Sequence, residues 1–287
     1  MRLDLAPAIG GAIAGWWHGD LPVLRPAGPN AAGAFTVREH ASFPLIPFSN
    51  RIGEGKFSFG GETFTLPRDA RDPRHALHGN ALYAAWTVGE IRPGRARLTL
   101  DYRPGQPDVP FFPFAYHAMQ HFCLRPDGLR ICISLRNTDT RPFPAGLGHH
   151  LYFPIEDATV LRFQSGGHWT NGPDGLPAAI AHDVARHFAA GAAIGGQGFD
   201  HCFFGWDGRA GIVYPQTGHS LRLRASAALR HAVLYVPEGG QKFAFEPVSH
   251  ATDAVNRPQG GMHILAPGQT LAAAITLRLG AGHRGMI

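Results

Sequence analysis

Phe122-Cys123-Leu124-Arg125-Pro126-Asp127-Gly128-Leu129-Arg130-Ile131-Cys132-Ile133-Ser134-Leu135 reads as a β-hairpin. Phe122 and Leu124 before the turn, and Leu129, Ile131, Ile133 and Leu135 after it, recur every second residue. That is the period of a strand with one buried face. Between the arms, Pro126 presets φ for the turn and Gly128 relieves its exit. Cys123 and Cys132 fall on the face opposite the apolar stripe and sit diagonally, so no disulfide is expected between them.

The same period extends in both directions. Lys56-Phe57-Ser58-Phe59, Gly60-Gly61 and Glu62 to Leu66 form a second hairpin, in which the two glycines supply the positive φ angles of a two-residue turn. Strands are expected over Arg95–Tyr102, His219–Arg224, His231–Val236, Lys242–Phe245 and Thr270–Leu279. In the last of these Ala273, Ile275, Leu277 and Leu279 share a face. Met1 to Trp17 reads as a strand rather than a signal segment, with Asp4 early, several glycines and no basic start beyond Arg2. The single helix candidate is Ala178–Ala190, following Pro177. No repeat, low-complexity tract or linker interrupts the pattern. The expectation is an all-β chain, one domain over residues 1–287, built as a large antiparallel β-sandwich or barrel.

Composition agrees and narrows the function. Of 287 residues, 44% are hydrophobic and 16% charged, which supports a sizeable core and argues against disorder. The 37 glycines and 24 prolines follow no period and suit many tight turns. The net charge of +5 is spread along the sequence without a basic run, so no nucleic-acid partner is expected. No apolar run is long enough to span a bilayer, so no membrane partner is expected. Three cysteines without a CxxC pair fit a reducing compartment, hence a cytoplasmic protein. The 17 histidines include no H-x-H or HExxH run, and His117 with His121, on one strand face, lacks a third ligand, so no metal is expected. Neither a GxGxxG nucleotide loop nor a G-x-S-x-G elbow is present.

Polar residues gather in five short segments with apolar surroundings, where unpaired burial would be costly. They are Pro47-Phe48-Ser49-Asn50-Arg51-Ile52-Gly53; His75-Ala76-Leu77-His78-Gly79-Asn80; Gly148-His149-His150-Leu151-Tyr152-Phe153-Pro154; Gly198-Phe199-Asp200-His201-Cys202-Phe203; and Phe243-Ala244-Phe245-Glu246-Pro247-Val248 with Asp253-Ala254-Val255-Asn256. Singly, each has a structural reading: His78 as a turn histidine, Arg51 as an ion-paired residue, Asp200 as a turn fixer, Glu246 as an edge carboxylate. His75 is assigned that structural role. Of the adjacent His149 and His150 only one can enter a site, because neighbours on a strand face opposite ways.

Taken in order, the five segments resemble the aldose 1-epimerase (galactose mutarotase) family. The likeness is carried by Ser49-Asn50-Arg51-Ile52 with Gly55-Lys56-Phe57, Leu77-His78-Gly79, His150-Leu151-Tyr152-Phe153, Gly198-Phe199-Asp200-His201, and Glu246 ahead of Asp253-Ala254-Val255-Asn256. It runs from about Gly10 to the C-terminus. Asn80 stands where the family often has a second glycine, and Pro154 where asparagine is common.

The resemblance implies a galactose mutarotase-like supersandwich and a cofactor-free isomerase acting on a small sugar, as a monomer or homodimer. Interconverting the α and β anomers of a hexose needs one base for the anomeric hydroxyl and one acid for the ring oxygen, with no metal or nucleotide. By family position Glu246 is the base and His150 the acid. His78, Arg51 and Asp200 would bind the sugar, with Asn50 beside them, and Tyr152 and Phe153 would shape an apolar platform. Arg68, Arg71 and Arg74 precede the His78 motif; a solvated basic loop is the favoured reading of them, and a phosphate site, as in a hexose 6-phosphate 1-epimerase, is the variant. A non-catalytic sugar-binding protein on the same fold is the alternative from another class.

Overall fold

A computed structural model of the chain describes residues 1–28, 36–195, 198–258 and 260–281. Two large antiparallel sheets dominate. The front sheet runs Arg2–Ala6, Ala12–His18, Ser42–Leu45, Gly148–Pro154, Lys242–Val248, His231–Val236, Phe199–Phe204, Gly167–Asn171 and Pro177–Ala181, with Leu21–Leu24 paired to Ala12–His18. The back sheet runs Ala192–Ala193, Val160–Phe163, Arg209–Tyr214, His219–Ala225, Thr270–Ala281, Gly128–Asn137, Tyr116–Arg125, Arg95–Tyr102 and Thr87–Arg92.

The sheets pack face to face through their alternating apolar residues. Phe163 of the back sheet lies edge-on against Phe203 and Phe245 of the front sheet, with ring centroids 4.9 and 5.1 Å away. Leu129, Ile131, Ile133 and Leu135 are all buried in this layer. The expected hairpin is present with Arg125 opposite Gly128, and the expected Gly60-Gly61 turn has both φ angles positive. Cys123 faces Arg130 and Cys132 faces His121, so the two thiols are diagonal, and both are free.

The front sheet is buried on its second face as well. Phe43, Tyr152, Cys202, Val233, Ala244 and Val248 form a separate apolar cluster there with Val37 and Leu82 from the crossing loops. That covered outer face carries the candidate site.

Three local expectations change. The segment 178–190 is not one helix: Pro177–Ala181 is the edge strand of the front sheet and only Asp183–Ala190 is helical. Proline at the first residue of an edge strand loses no ladder bond, so it marks a strand start here rather than a helix start. Met1 to Trp17 is a hairpin of Arg2–Ala6 and Ala12–His18, turned at Gly10 and Gly11 with φ of 62° each. The strand from Lys242 continues through Pro247 to Val248. Its pairing with Gly148–Pro154 joins Gly148 to Val248 and resumes at Leu151 and Phe245, leaving a gap at Pro247, which has no N–H to give. Among the described residues no helix is long and apolar enough to cross a membrane.

Candidate active site

Period two sorts the adjacent histidines. His149 points between the sheets, where its Nε2 meets Gln120 Oε1 at 2.9 Å and its Nδ1 meets the Ser42 hydroxyl. His150 therefore lies on the outer face, alongside Phe43 on one neighbouring strand and Glu246 on the other. The same alternation sends Phe153 into the core, stacked on Phe243 at 5.3 Å, so it cannot form part of a platform for a ligand on the outer face. Tyr152 is on the outer face, 4.4 Å from the His150 ring.

His150 Nε2 lies 3.1 Å from Glu246 Oε1. His150 is 5% exposed and Glu246 2%. The second atom of each group, His150 Nδ1 and Glu246 Oε2, is buried without a hydrogen-bond partner among the described residues. Orphaned buried polar atoms are costly and rare, so two in one contact pair mark a place where a polar ligand would be held. Burial, with the charge of Asp200 beside it, pushes Glu246 well above the usual carboxylate range, against the pull of Arg51. Burial, with His78, Arg38 and His149 nearby, pushes His150 well below the usual imidazole range. Both shifts favour uncharged partners, so the resting pair holds its one proton on Glu246.

The Asn50-Arg51 and His78-Gly79 loops close over this pair. Asn50 and His78 both take left-handed backbone, with φ of 55° and 63°, and hold each other: His78 N–H donates to Asn50 O at 2.9 Å, and Asn50 N–H donates to His78 Nδ1 at 3.1 Å. Because Nδ1 accepts, neutral His78 carries its proton on Nε2 and offers a donor there. Its ring is edge-on to His150 at 5.4 Å. Burial, then Arg38 and Arg51, keeps His78 well below its ordinary value, hence neutral.

Arg51 is clamped between carboxylates, with Nε 2.8 Å from Asp72 and Nη1 3.2 Å from Asp200. Asn50 Oδ1 accepts from Arg51 N–H at 2.9 Å and from its Nη1 at 3.3 Å, so Asn50 acts on Arg51. The remaining amides of this loop are held by side chains from far away. Ser49 N–H donates to His250, Gly53 N–H to Asp253, and Glu54 N–H to His75. Asp253 also accepts from Asn256 at 2.8 Å, so the Asp253-Ala254-Val255-Asn256 motif fastens the Arg51 loop. His75 is structural, its Nε2–H donating to Asp174 O at 2.8 Å. Asn80 faces away from the site, bonded to Pro110 O at 2.9 Å and Tyr116 OH at 2.6 Å.

The structure thus brings Glu246, His150, His78, Arg51, Asp200 and Asn50 into one neighbourhood from five separate segments. Cys202 lies on the same face, two strands from Glu246; burial pushes its thiol up to about 12, so it stays protonated. Sequence reasoning missed Arg38 and Asp72. Arg38 is buried and ion-paired to Asp69 at 2.6 Å, with Tyr83 bonded to the same carboxylate. It also missed the cations flanking Tyr152: Arg25 and Lys242 each stand 4.9 Å from the ring centroid. Of the three arginines ahead of His78, only Arg71 approaches this rim, 3.7 Å from Glu39, which also meets Arg25 at 3.8 Å. Arg74 donates to Pro173 O and Arg68 to Pro73 O. Among the described residues no group of three or more His, Cys, Asp or Glu side chains is arranged to hold a metal.

The chain resembles known proteins along most of its length. The family model described as aldose 1-epimerase matches residues 5–278. The Escherichia coli (strain K12) protein YphB, itself uncharacterized, is 29% identical over 97% of this chain and 96% of its own. A crystal structure from Escherichia coli K12, described provisionally as an aldose 1-epimerase, superposes with a TM-score of 0.87 at 28% identity, covering 97% of this chain and 95% of that one. A galactose mutarotase-like protein from Clostridium acetobutylicum shares the fold, with a TM-score of 0.83 at 18% identity over 97% of this chain and 92% of its own.

Proposed function

The chain belongs to the aldose 1-epimerase family, and on that premise we propose that it interconverts the α and β anomers of a hexose by opening and reclosing the pyranose ring. The observation that carries this reading is the buried contact between His150 and Glu246, each with one polar atom left for a ligand. The anomeric hydroxyl and the ring oxygen hang on one carbon, so an acid and a base in contact with each other can address both from one side.

In the proposed cycle the shared proton passes from Glu246 to His150 Nε2. The carboxylate takes the proton of the anomeric hydroxyl while the imidazolium protonates the ring oxygen as the C1–O5 bond breaks. Rotation about C1–C2 presents the other face of the aldehyde, and reclosure runs the two transfers backwards. His78 donates from Nε2, Arg51 donates to ring substituents and Asp200 accepts from sugar hydroxyls. Asn50 acts by holding Arg51. The chemistry consumes no redox equivalent and transfers no group to an acceptor, so it needs no cofactor. The chain works as one domain over residues 1–287, a cytoplasmic monomer or homodimer.

A second reading, a hexose 6-phosphate 1-epimerase, is favoured by one observation. Arg25, Lys242 and Arg71 gather beside Tyr152 with Glu39 as the carboxylate among them. Two residues along the strand from His150, this rim would accept an acidic substituent on the sugar.

Polarimetry on freshly dissolved α-D-galactose, α-D-glucose and α-D-glucose 6-phosphate tests both. Acceleration over the buffer rate with a neutral sugar supports the first reading. Acceleration confined to the phosphate, and lost in Lys242→Met, supports the second. No acceleration with any of the three contradicts both.

A further inference from the structure

Arginines that look scattered along the sequence converge on the outer face of the back sheet. Strand alternation places Arg130, Arg222, Arg224, Arg278 and Arg209 all outward. Pairing then sets like charges directly opposite one another: Arg222 faces Arg278, and Arg224 faces Arg209. Directly opposed like charges destabilise a sheet. Among the described residues the carboxylates on this face are fewer than the arginines: Asp207 lies beside Arg209 and Arg224, and Asp127 near Arg278. Asp127 reaches Arg278 only at 4.0 Å, and Arg130 contacts the Thr276 hydroxyl at 3.5 Å.

These side chains rim a depression of about 460 Å³ lined by Arg125, Arg130, Arg222, Arg224 and Arg278, with Asp127 the one carboxylate among the described residues there. Between the arginines it is lined by Gly128, Ser226, Ala274 and Thr276. A smaller depression of about 240 Å³ adjoins it through Arg222 and Arg224 and adds Arg209 and Arg162, with Asp207 as its carboxylate. Among the described residues, no Phe, Tyr or Trp lines either depression outside the sheet's buried face, so neither offers a stacking platform for bases. Nor does either carry a large exposed apolar side chain to enter a lipid layer.

We propose that this arginine-lined depression on the back sheet is a binding site for a linear oligophosphate anion. Guanidinium forks match phosphate oxygens two at a time, and several around one depression suit a chain of linked phosphates better than a single one. The source is either an inorganic polyphosphate or the triphosphate of a nucleotide; the chemistry recognised is the same. The site lies on the opposite sheet from His150 and Glu246, so it is independent of the activity proposed above.

Isothermal titration of the full chain with tripolyphosphate, ATP and orthophosphate at low salt is the test. The expected result is one saturable site for tripolyphosphate, with orthophosphate weaker by about tenfold or more. Equal affinity for ATP identifies the phosphate chain alone as recognised, and tighter ATP binding points to a nucleotide source. In Arg222→Gln/Arg278→Gln, affinity falls about tenfold or more while the melting temperature holds, because each change removes a repulsion. Arg125→Gln/Arg130→Gln, from the neighbouring strands, provides a second loss of affinity should the first variant not fold. No saturable binding, unchanged affinity in a folded variant, or tighter arginine-dependent binding to duplex DNA or phosphatidylserine vesicles at equal phosphate concentration would overturn the proposal.

Discussion

His250 Nε2 accepts the N–H of Ser49 at 3.1 Å, while its Nδ1–H donates to Ala251 O at 2.7 Å. Two segments about two hundred residues apart are joined by one neutral imidazole in a single tautomer. The bond fixes the start of the loop that carries Asn50 and Arg51. The ring also lies against Gly146, so closely that a Cβ on that glycine would stand 2.0 Å from His250 Cδ2. In His250→Ala the buried Ser49 amide loses its acceptor and a cavity opens beside Gly146. The expected loss is about 1–3 kcal/mol for the orphaned amide alone, read as a lower urea midpoint with an unchanged m-value. An unchanged midpoint would contradict the role given to this bond.

Several histidines share that condition, and stability should therefore fall with acid. Burial lowers His149 to about 3 and His231 and His250 to about 4, from an ordinary 6.5. Between 6.5 and those values the unfolded chain holds more protons than the folded one, so stability rises with pH. Each such histidine contributes a slope of about 1.4 kcal/mol per pH unit where the difference is complete. Glu246 has the opposite sign, because its raised value gives the folded state the extra proton above 4.5, but it is one group against these three and the likewise lowered His78 and His150. Urea unfolding should show a clearly lower stability at pH 5 than at pH 7. Equal stabilities would contradict the neutral, buried state of these rings.

Gly79 has φ of +75°, and a Cβ there would stand 2.1 Å from Ile46 O. Gly79→Ala meets both the left-handed backbone and a carbonyl that cannot retreat. The backbone term alone costs about 1–3 kcal/mol, and His78 shifts with the loop. Thermal melting should show the loss, and the variant should lose sugar affinity more than Asn80→Ala, whose side chain faces Tyr116 instead. Equal effects of the two would contradict the placement of His78 by this turn.

The pH profile of the rate follows from the shared proton. Activity needs the His150–Glu246 pair singly protonated. A second proton, resisted by the burial that lowers His150, sets an acid limb below 6.5; loss of the one proton, delayed by the burial that raises Glu246, sets an alkaline limb above 4.5. A bell is expected in kcat/KM. A rate that climbs steadily with pH would point to hydroxide rather than to this pair.

Much of the fold was legible because period two survives at the level of single strands. Phe122 to Leu135 needed nothing beyond its own alternation. The segment after Pro177 was not legible, since alanines and histidines commit weakly to either structure and the edge of the front sheet decides. The same alternation held information left unused: Tyr152 and Phe153 cannot share a face, and placing His150 in the site assigns Phe153 to the core. Arg38 and Asp72 carry no motif; their partners, Asp69 and Arg51, come from tertiary packing. The arginine face escaped for a related reason, because four separated strands must be set in register before their charges line up.

The most direct test of the central claim is polarimetry of Glu246→Gln and His150→Ala beside the unaltered chain, on whichever sugar it turns over. Both variants remove one member of the contact pair and should lose about a hundredfold or more of kcat/KM, while the melting temperature shows each still folded. A folded Glu246→Gln that retains the full rate would contradict the assignment of this pair as the acid and base.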